Sequence, residues 1–272
     1  YNCPEYLEGM IGSYKARVAP FNVNYRYVEE ELRYLLNDSQ AQALIYHSAF
    51  APVLEAVRAD LPGLQVLLQV PDESGHDLLP DAVWYEDALA SVHATEPDVE
   101  LSPDDLYILY TGGTTGMPKG VMWRQEDIFF AAMDGSAMGV APKPETPEDL
   151  AERVKLSGGT LTMATAAPLM HGAAQWATFI CLHSGSAMVL PSTHRFDPAK
   201  IWRTVCDEKV MTMTVVGDAM ARPLVEELVA NRDDYDLSNF FALGSGGAIL
   251  SAGVKQQLLE VLWITGCRVD QQ

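Results

Sequence analysis

Twelve consecutive residues, Tyr110-Thr111-Gly112-Gly113-Thr114-Thr115-Gly116-Met117-Pro118-Lys119-Gly120-Val121, bring together the groups that a phosphate cradle needs. Gly112, Gly113 and Gly116 let the backbone take φ > 0 and come close to a ligand, so successive N–H groups can point into one concavity. Thr111, Thr114 and Thr115 add hydroxyls that donate to phosphate oxygens or join the shell of a hydrated cation. Lys119 adds a compact positive charge on a flexible stem, able to follow a β- or γ-phosphate. The spacing is not that of a Walker A loop, because Pro118 precedes the lysine and Gly120 follows it, and it is not the G-x-G-x-x-G dinucleotide fingerprint. A bare Gly/Thr turn would read as a surface hairpin with a solvated lysine; the whole string reads as an anion site.

Such a loop needs a firm base. An apolar strand at 106–110 enters the string and a second strand at 121–123 leaves it. Upstream, the pattern is a strand at 18–24, a helix at 27–36, a strand at 43–46, a helix at 51–59, the breaker Pro62-Gly63 and a strand at 66–70. That rhythm argues for a parallel sheet covered by helices. Residues 71–103 read as loops about a short helix at 83–90. A helix is expected at 127–138, followed by a charged, proline-bearing surface insertion at 142–156. From 161 the alternation resumes, with strands at 161–165, 187–190, 211–215 and 240–243 and helices at 173–182, 198–207, 219–229 and 252–262. The fold class is therefore α/β, with layers of parallel sheet and helices packed on them. Residues 263–272 follow the last helix as an atypical tail without the apolar run of a buried strand.

The chain has 272 residues, enough to bury a large core, and carries 18 basic against 37 acidic side chains for a net charge of −19. A surface so negative repels nucleic acid and anionic headgroups, so a bound polyanion must be held by local N–H groups and a few placed cations. No run of 18 apolar residues suggests a membrane span. The opening residues lack the pattern of a secretory signal, and without an initiator Met the native start is expected upstream. Cys3, Cys181, Cys206 and Cys267 show no metal or CxxC spacing and suit a reducing cytoplasm. His183 and His194 have no partner at metal spacing and read as structural.

The string at 110–121 resembles the phosphate-binding signature of the AMP-binding, adenylate-forming superfamily. The commonest version of that signature has Ser where this chain has Gly112, though several acyl-CoA synthetases also carry Gly. Pro168-Leu169-Met170-His171-Gly172 is similar to the segment whose histidine lies beside the acyl pocket. The segment at 245–250, Ser245-Gly246-Gly247-Ala248-Ile249-Leu250, resembles the one that borders adenine. Asn22-Val23-Asn24-Tyr25-Arg26 and the helix after it also look like the family, so the resemblance runs from near Tyr1 to about Leu262. The residues after the phosphate signature look most like bacterial synthetases for fatty acids or sterol side chains.

The resemblance implies ATP, Mg²⁺, coenzyme A and a carboxylic acid as small-molecule partners, and no nucleic acid. Lys119 and the amides of residues 113–116 would hold the β- and γ-phosphates, with Thr111 helping to hold Mg²⁺. Gly246, Gly247 and Ala248 would border adenine, and His171 and Gly172 would lie by the acyl carboxylate. Trp176, Phe179 and Ile180 lie on a helix face that either walls an acyl channel or packs the core. Gly217 and Asp218 end a strand where family members place pocket residues, although Asp218 also reads as the N-cap of the next helix. The family's Tyr-Gly-x-Thr-Glu string, ribose-binding Asp, hinge and small C-terminal domain with its adenylation lysine are not found. The chain is therefore expected to be an incomplete N-terminal AMP-binding domain over 1–262 and a poor catalyst alone. The alternative reading is a nucleotide-binding remnant without turnover, or a pseudogene product.

Overall fold

A computed structural model describes residues 1–112, 116–133, 142–191 and 195–262, and the backbone of 268–271. The chain divides into two compact units, residues 3–125 with Tyr1, and residues 126–272 with Asn2. The first unit opens with a helix that sequence patterning did not reveal, α1 (Pro4–Lys15). Pro4 supplies a preset first turn, and Glu5 and Lys15 complement the helix dipole. Only Met10 is buried on it, so its apolar stripe is faint.

The expected strand at 18–24 does not form. Pro20 interrupts its row of donors, which disfavours a ladder. The helix expected at 27–36 is α2 (Glu29–Asp38), entered where the Glu31 carboxylate accepts from the Val28 N–H at 3.2 Å. Strands β1 (Ala43–His47), β2 (Val66–Val70) and β3 (Ala82–Trp84) form a parallel sheet in that order, with α3 (Ala51–Val57) between the first two. Residues 83–84, expected to begin a helix, belong to β3, and α4 (Tyr85–Ala90) starts only after them. Leu32 and Leu36 of α2 meet Leu54 and Val57 of α3 over Leu67 of β2, and that contact is the unit's core. Beside it, β4 (Leu106–Thr111) and β5 (Lys119–Arg124) form an antiparallel pair.

Helix α5 (Gln125–Ala132) comes next; the remainder of the helix expected at 127–138 falls largely on residues outside those described. The charged stretch expected as an irregular insertion contains α6 (Pro147–Ser157). Its prolines misled, because Pro147 occupies the first helical position, where no N–H is needed. Thr146 and Asp149 close a reciprocal capping box around it.

The second unit is built on a five-stranded parallel sheet in the order β10-β9-β8-β6-β7. Its elements are β6 (Thr162–Thr165), α7 (Gly172–His183), β7 (Ala187–Val189), α8 (Pro198–Asp207), β8 (Thr212–Val215), α9 (Gly217–Asn231), β9 (Ala242–Ser245), α10 (Ala252–Leu262) and β10 (Arg268–Gln271). The tail thus continues the alternation instead of ending it: β10 pairs parallel with β9, and backbone pairing needs no apolar run. Right-handed crossovers place α7, which leads outward to β7, on one face. They place α8, α9 and α10, which lead the other way, on the opposite face. Ile201, Trp202, Leu224, Leu228 and Leu258 from those three helices share one core with Met213, Phe240 and Leu243. The Trp202 indole N–H donates to the Leu224 carbonyl at 3.0 Å, so the largest buried side chain leaves no unpaired donor.

Candidate functional site

In the first unit, the root of the glycine-rich loop is the β4–β5 pair. Thr111 stands opposite Lys119 and Tyr110 opposite Gly120. Opposed residues of an antiparallel pair share a face, and successive residues alternate. Thr111 and Lys119 therefore project together on one face, both exposed, while Tyr110 and Gly120 lie on the other, where Tyr110 is buried. Gly116 takes φ +149, a backbone that disfavours any side chain. A Cβ on Gly112 would meet nothing within 4 Å among the described residues. Gly113, Thr114 and Thr115 lie outside the described residues.

Tyr110 is held from four directions. Asn22 Nδ2 donates to the Tyr110 carbonyl at 2.8 Å, and the Tyr110 N–H donates to Asn22 Oδ1 at 2.7 Å. The Tyr110 hydroxyl donates to Asp38 Oδ2 at 2.7 Å, and the Phe21 ring packs 5.4 Å away. A Cβ on Gly120 would sit 2.9 Å from the Tyr110 ring, so this position must be glycine for the ring to lie there. Burial, and then the Asp38 carboxylate, push the Tyr110 phenol well above its ordinary value.

In the second unit, three sequence segments reach the carboxyl ends of adjacent strands. His171 and Gly172 follow β6, Gly217 and Asp218 follow β8, and Gly246 to Ala248 follow β9. The strand order runs outward in both directions from β6, so β6 and β8 flank a topological switch point, where open α/β sheets form their ligand crevice. The segments are knit by short contacts. The Gly217 N–H donates to Ser245 Oγ at 3.0 Å, Gly246 N–H to the Val215 carbonyl at 3.3 Å, and Asp218 N–H to the Ile249 carbonyl at 3.0 Å. Cβ atoms on Gly246 and Gly247 would lie 3.9 and 3.6 Å from the Ala173 side chain, next to Gly172.

His171 is the cap residue of α7, exposed, and its N–H donates to the Pro168 carbonyl at 2.9 Å. Asp218 is not the N-cap of its own helix, as one sequence reading had it. Val216, in extended backbone, holds that place, one residue ahead of Gly217 at φ +57. The Asp218 carboxylate instead accepts from the Ser251 N–H at 2.7 Å, just ahead of α10, and meets Arg222 at 3.2 Å. Those hydrogen bonds, with Arg222 adding to them, hold its carboxyl below the usual range. Trp176 is half-buried, and its indole nitrogen is shielded from solvent without a hydrogen-bond partner among the described residues. Phe179 is buried, and His183 rests against its ring and bonds the Met133 carbonyl at 2.7 Å, a structural role. His194 lies outside the described residues.

Sequence reasoning missed Asn22 as an anchor of the loop, Asp38 as its second tether, and Ser251 as the partner of Asp218. Among the described residues no group of three or more His, Cys, Asp or Glu is placed to hold a metal ion. A cavity of about 570 Å³ runs along β1 in the first unit, lined by Tyr6, Phe21, Tyr25 and Phe50 among others, and none of the candidate residues borders it. No described helix is long and apolar enough to cross a membrane.

A model of the family described as AMP-binding enzyme matches residues 1–269. The chain is 50% identical over 263 residues to a medium-chain acyl-CoA ligase, Mig, of Mycobacterium avium, covering 96% of this chain and 47% of that one. It is 39% identical over 263 residues to a medium/long-chain-fatty-acid–CoA/3-oxocholest-4-en-26-oate–CoA ligase of Mycobacterium marinum, covering 95% of this chain and 47% of the relative. The chain thus spans about half the length of these curated relatives. Among solved structures, a long-chain-fatty-acid-CoA ligase of Archaeoglobus fulgidus matches with a TM-score of 0.78 at 20% identity, over 99% of this chain and 50% of that chain. The N-terminal domain of FACL13 from Mycobacterium tuberculosis matches with a TM-score of 0.74 at 23% identity, over 99% and 60%. At those identities the two structures speak for the fold alone.

Proposed function

We propose a function from one established premise: the chain belongs to the AMP-binding enzyme family. It is the nucleotide-binding part of an ATP-dependent ligase that activates a carboxylic acid, fatty or sterol side-chain, and passes it to coenzyme A. The observation that carries this reading is the placement of Thr111 opposite Lys119, exposed on one face at the root of a glycine-rich loop. A cation and a hydroxyl side by side at the root of a glycine-rich loop suit the binding of a triphosphate.

In the reaction, a carboxylate oxygen attacks the α-phosphorus of ATP, and the bond to the bridging oxygen breaks, releasing pyrophosphate. The coenzyme A thiolate then attacks the acyl carbonyl carbon and AMP departs. Lys119 and the amides of residues 113–116 hold the β- and γ-phosphates, so the leaving group's charge is neutralised in place. Thr111 would offer one oxygen to Mg²⁺, an ion that takes few protein ligands and would supply charge neutralisation at the phosphates. In the second unit, Gly246, Gly247 and Ala248 border adenine, their missing or small side chains leaving room for a flat ring. His171 and Gly172 lie by the acyl carboxylate, with Trp176, Gly217 and Asp218 lining the acyl side.

Thermal unfolding with and without Mg-ATP, alongside Lys119→Ala, tests the reading. At 100 times its dissociation constant a ligand adds about 2.7 kcal/mol, roughly 5–10 °C for a chain of this size. A shift that Lys119→Ala abolishes supports the assignment, and an equal shift in both proteins removes it. Release of pyrophosphate dependent on a fatty acid separates turnover from the second reading, nucleotide binding without catalysis.

A further inference from the structure

We propose that Asn22 is a positioning residue for the phosphate loop, its carboxamide standing in for a missing strand beside Tyr110. The inference rests on the reading of residues 110–121 as the triphosphate site. Asn22 is 4% exposed and lies in a segment that makes no ladder with any described strand. Its side chain nonetheless satisfies both backbone groups of Tyr110, accepting at 2.7 Å and donating at 2.8 Å, across 88 residues of sequence. A residue in a β-strand directs its N–H and C=O to the same side, and in an antiparallel pair alternate residues direct them away from the partner. Tyr110 turns both groups toward Asn22, so Tyr110 and Gly120 are a non-hydrogen-bonded pair, and Thr111 with Lys119 is the next, hydrogen-bonded one. The close approach of the Tyr110 ring to Gly120 agrees, since side chains come nearest in the non-bonded pair.

Asn22 therefore fixes the last residue of β4 before the glycine-rich turn. Thr111 is the next residue, and Lys119 is its cross-strand partner. With the carboxamide gone, the Tyr110 amide and carbonyl are buried without partners, and the hairpin root must shift to find water. The shift moves the groups that meet phosphate and spares those that meet adenine. A purely structural role would instead lower stability and leave the preference for triphosphate alone.

The experiment measures dissociation constants of Mg-ATP and of adenosine for the chain, for Asn22→Leu, for Asn22→Asp and for Lys119→Ala. Asn22→Leu keeps the volume and loses both hydrogen bonds; Asn22→Asp keeps the acceptor for the Tyr110 N–H and loses the donor. Asn22→Leu is expected to weaken Mg-ATP about tenfold, the size of one to two net hydrogen bonds, with adenosine unchanged. Asn22→Asp falls between Asn22→Leu and the parent, and hydrogen exchange at the Tyr110 amide accelerates in Asn22→Leu. An Asn22→Leu protein that keeps the parent's ratio of ATP to adenosine affinity, while Lys119→Ala loses it, overturns the inference and leaves the phosphate assignment standing. A ratio unmoved in Lys119→Ala removes the assignment and the inference with it. Should Asn22→Leu fail to fold, Asn22→Asp decides the matter, and failure of both to fold makes Asn22 a general structural residue and overturns the proposal.

Discussion

The Tyr110 ring lies across the backbone of Gly120, its Cε2 atom 2.9 Å from where a Cβ would stand. The ring cannot swing away, because its hydroxyl is tied to Asp38 and Phe21 packs beside it. Gly120 does not take a left-handed φ, so the demand for glycine here is steric and not conformational. Gly120→Ala is therefore expected to cost about 1–3 kcal/mol of stability, the range for overfilling a packed site. It also spreads the loop root and weakens Mg-ATP. A melting curve with and without Mg-ATP measures both; an unchanged midpoint would mean the ring yields freely.

Gly112 presents the opposite case. It has room for a side chain and an ordinary φ, so nothing among the described residues around it requires glycine. Gly112→Ser, the residue commonest in the family signature, is expected to melt within about 0.5 kcal/mol of the parent, as surface changes usually do. The added hydroxyl should leave Mg-ATP affinity equal or tighter. A loss of affinity in titration calorimetry would show that the loop backbone at 112 is more confined than its open surroundings imply.

What could be read from the sequence follows from whether the signal was local. The glycine- and threonine-rich string is contiguous, so Thr111 and Lys119 could be proposed as phosphate-binding groups from composition and order alone. Strands β1 and β2 were legible as short apolar runs, although Ile45 and Val66 are exposed and Gln69 is buried, and helix α8 was legible because its apolar period matches its burial. Helix α1 buries only Met10 and gave no such period. The prolines around 147 signalled a loop where one of them begins α6, and Pro20 was outweighed by the apolar residues around it. The convergence of 171–172, 217–218 and 246–248 needed the strand order, which places β8 and β9 side by side and β6 beside β8. Asn22 was invisible as an anchor, because its partner lies 88 residues away and nothing in its own neighbourhood points there.

The Tyr110 hydroxyl makes a pH-dependent contribution whose sign can be stated. Its pKa is raised in the folded chain above the ordinary 10.0, first by burial and then by the Asp38 carboxylate. The protonated phenol is the form that folding favours, so the contribution is whole below pH 10 and is lost as pH climbs from there toward the raised value. Tyr46 and Tyr235, both pushed up to about 12, lose stability over the same side, so only a difference between proteins isolates Tyr110. Tyr110→Phe is expected to be about 1 kcal/mol less stable at neutral pH, the net value of one hydrogen bond. Above pH 10 its stability should fall less steeply than the parent's. Urea melts at pH 7 and at pH 10.5 test this, and parallel declines would show that the phenol's burial carries no such linkage.

Gly217 carries both kinds of constraint at once, and its neighbours make the consequence specific. Its φ of +57 is costly for any residue with a Cβ, about 1–2 kcal/mol. The added atom would also stand 2.7 Å from the Ile249 carbonyl oxygen and 2.8 Å from the Ala248 Cβ. Both contacts belong to the segment proposed to border adenine, which Gly217 and Asp218 hold through Ser245, Ile249 and Ser251. Gly217→Ala is therefore expected to lose about 2–4 kcal/mol, strain and overpacking together, and to weaken adenosine and ATP by the same factor. That equality separates it from changes at the proposed phosphate loop, which are expected to act on ATP alone. Gly253, in the first turn of α10 with open space around it, is the control: Gly253→Ala should gain up to about 1 kcal/mol by limiting the unfolded chain. If Gly217→Ala binds adenosine as the parent does, the segment at 245–250 is held by other contacts and its link to the start of α9 is incidental.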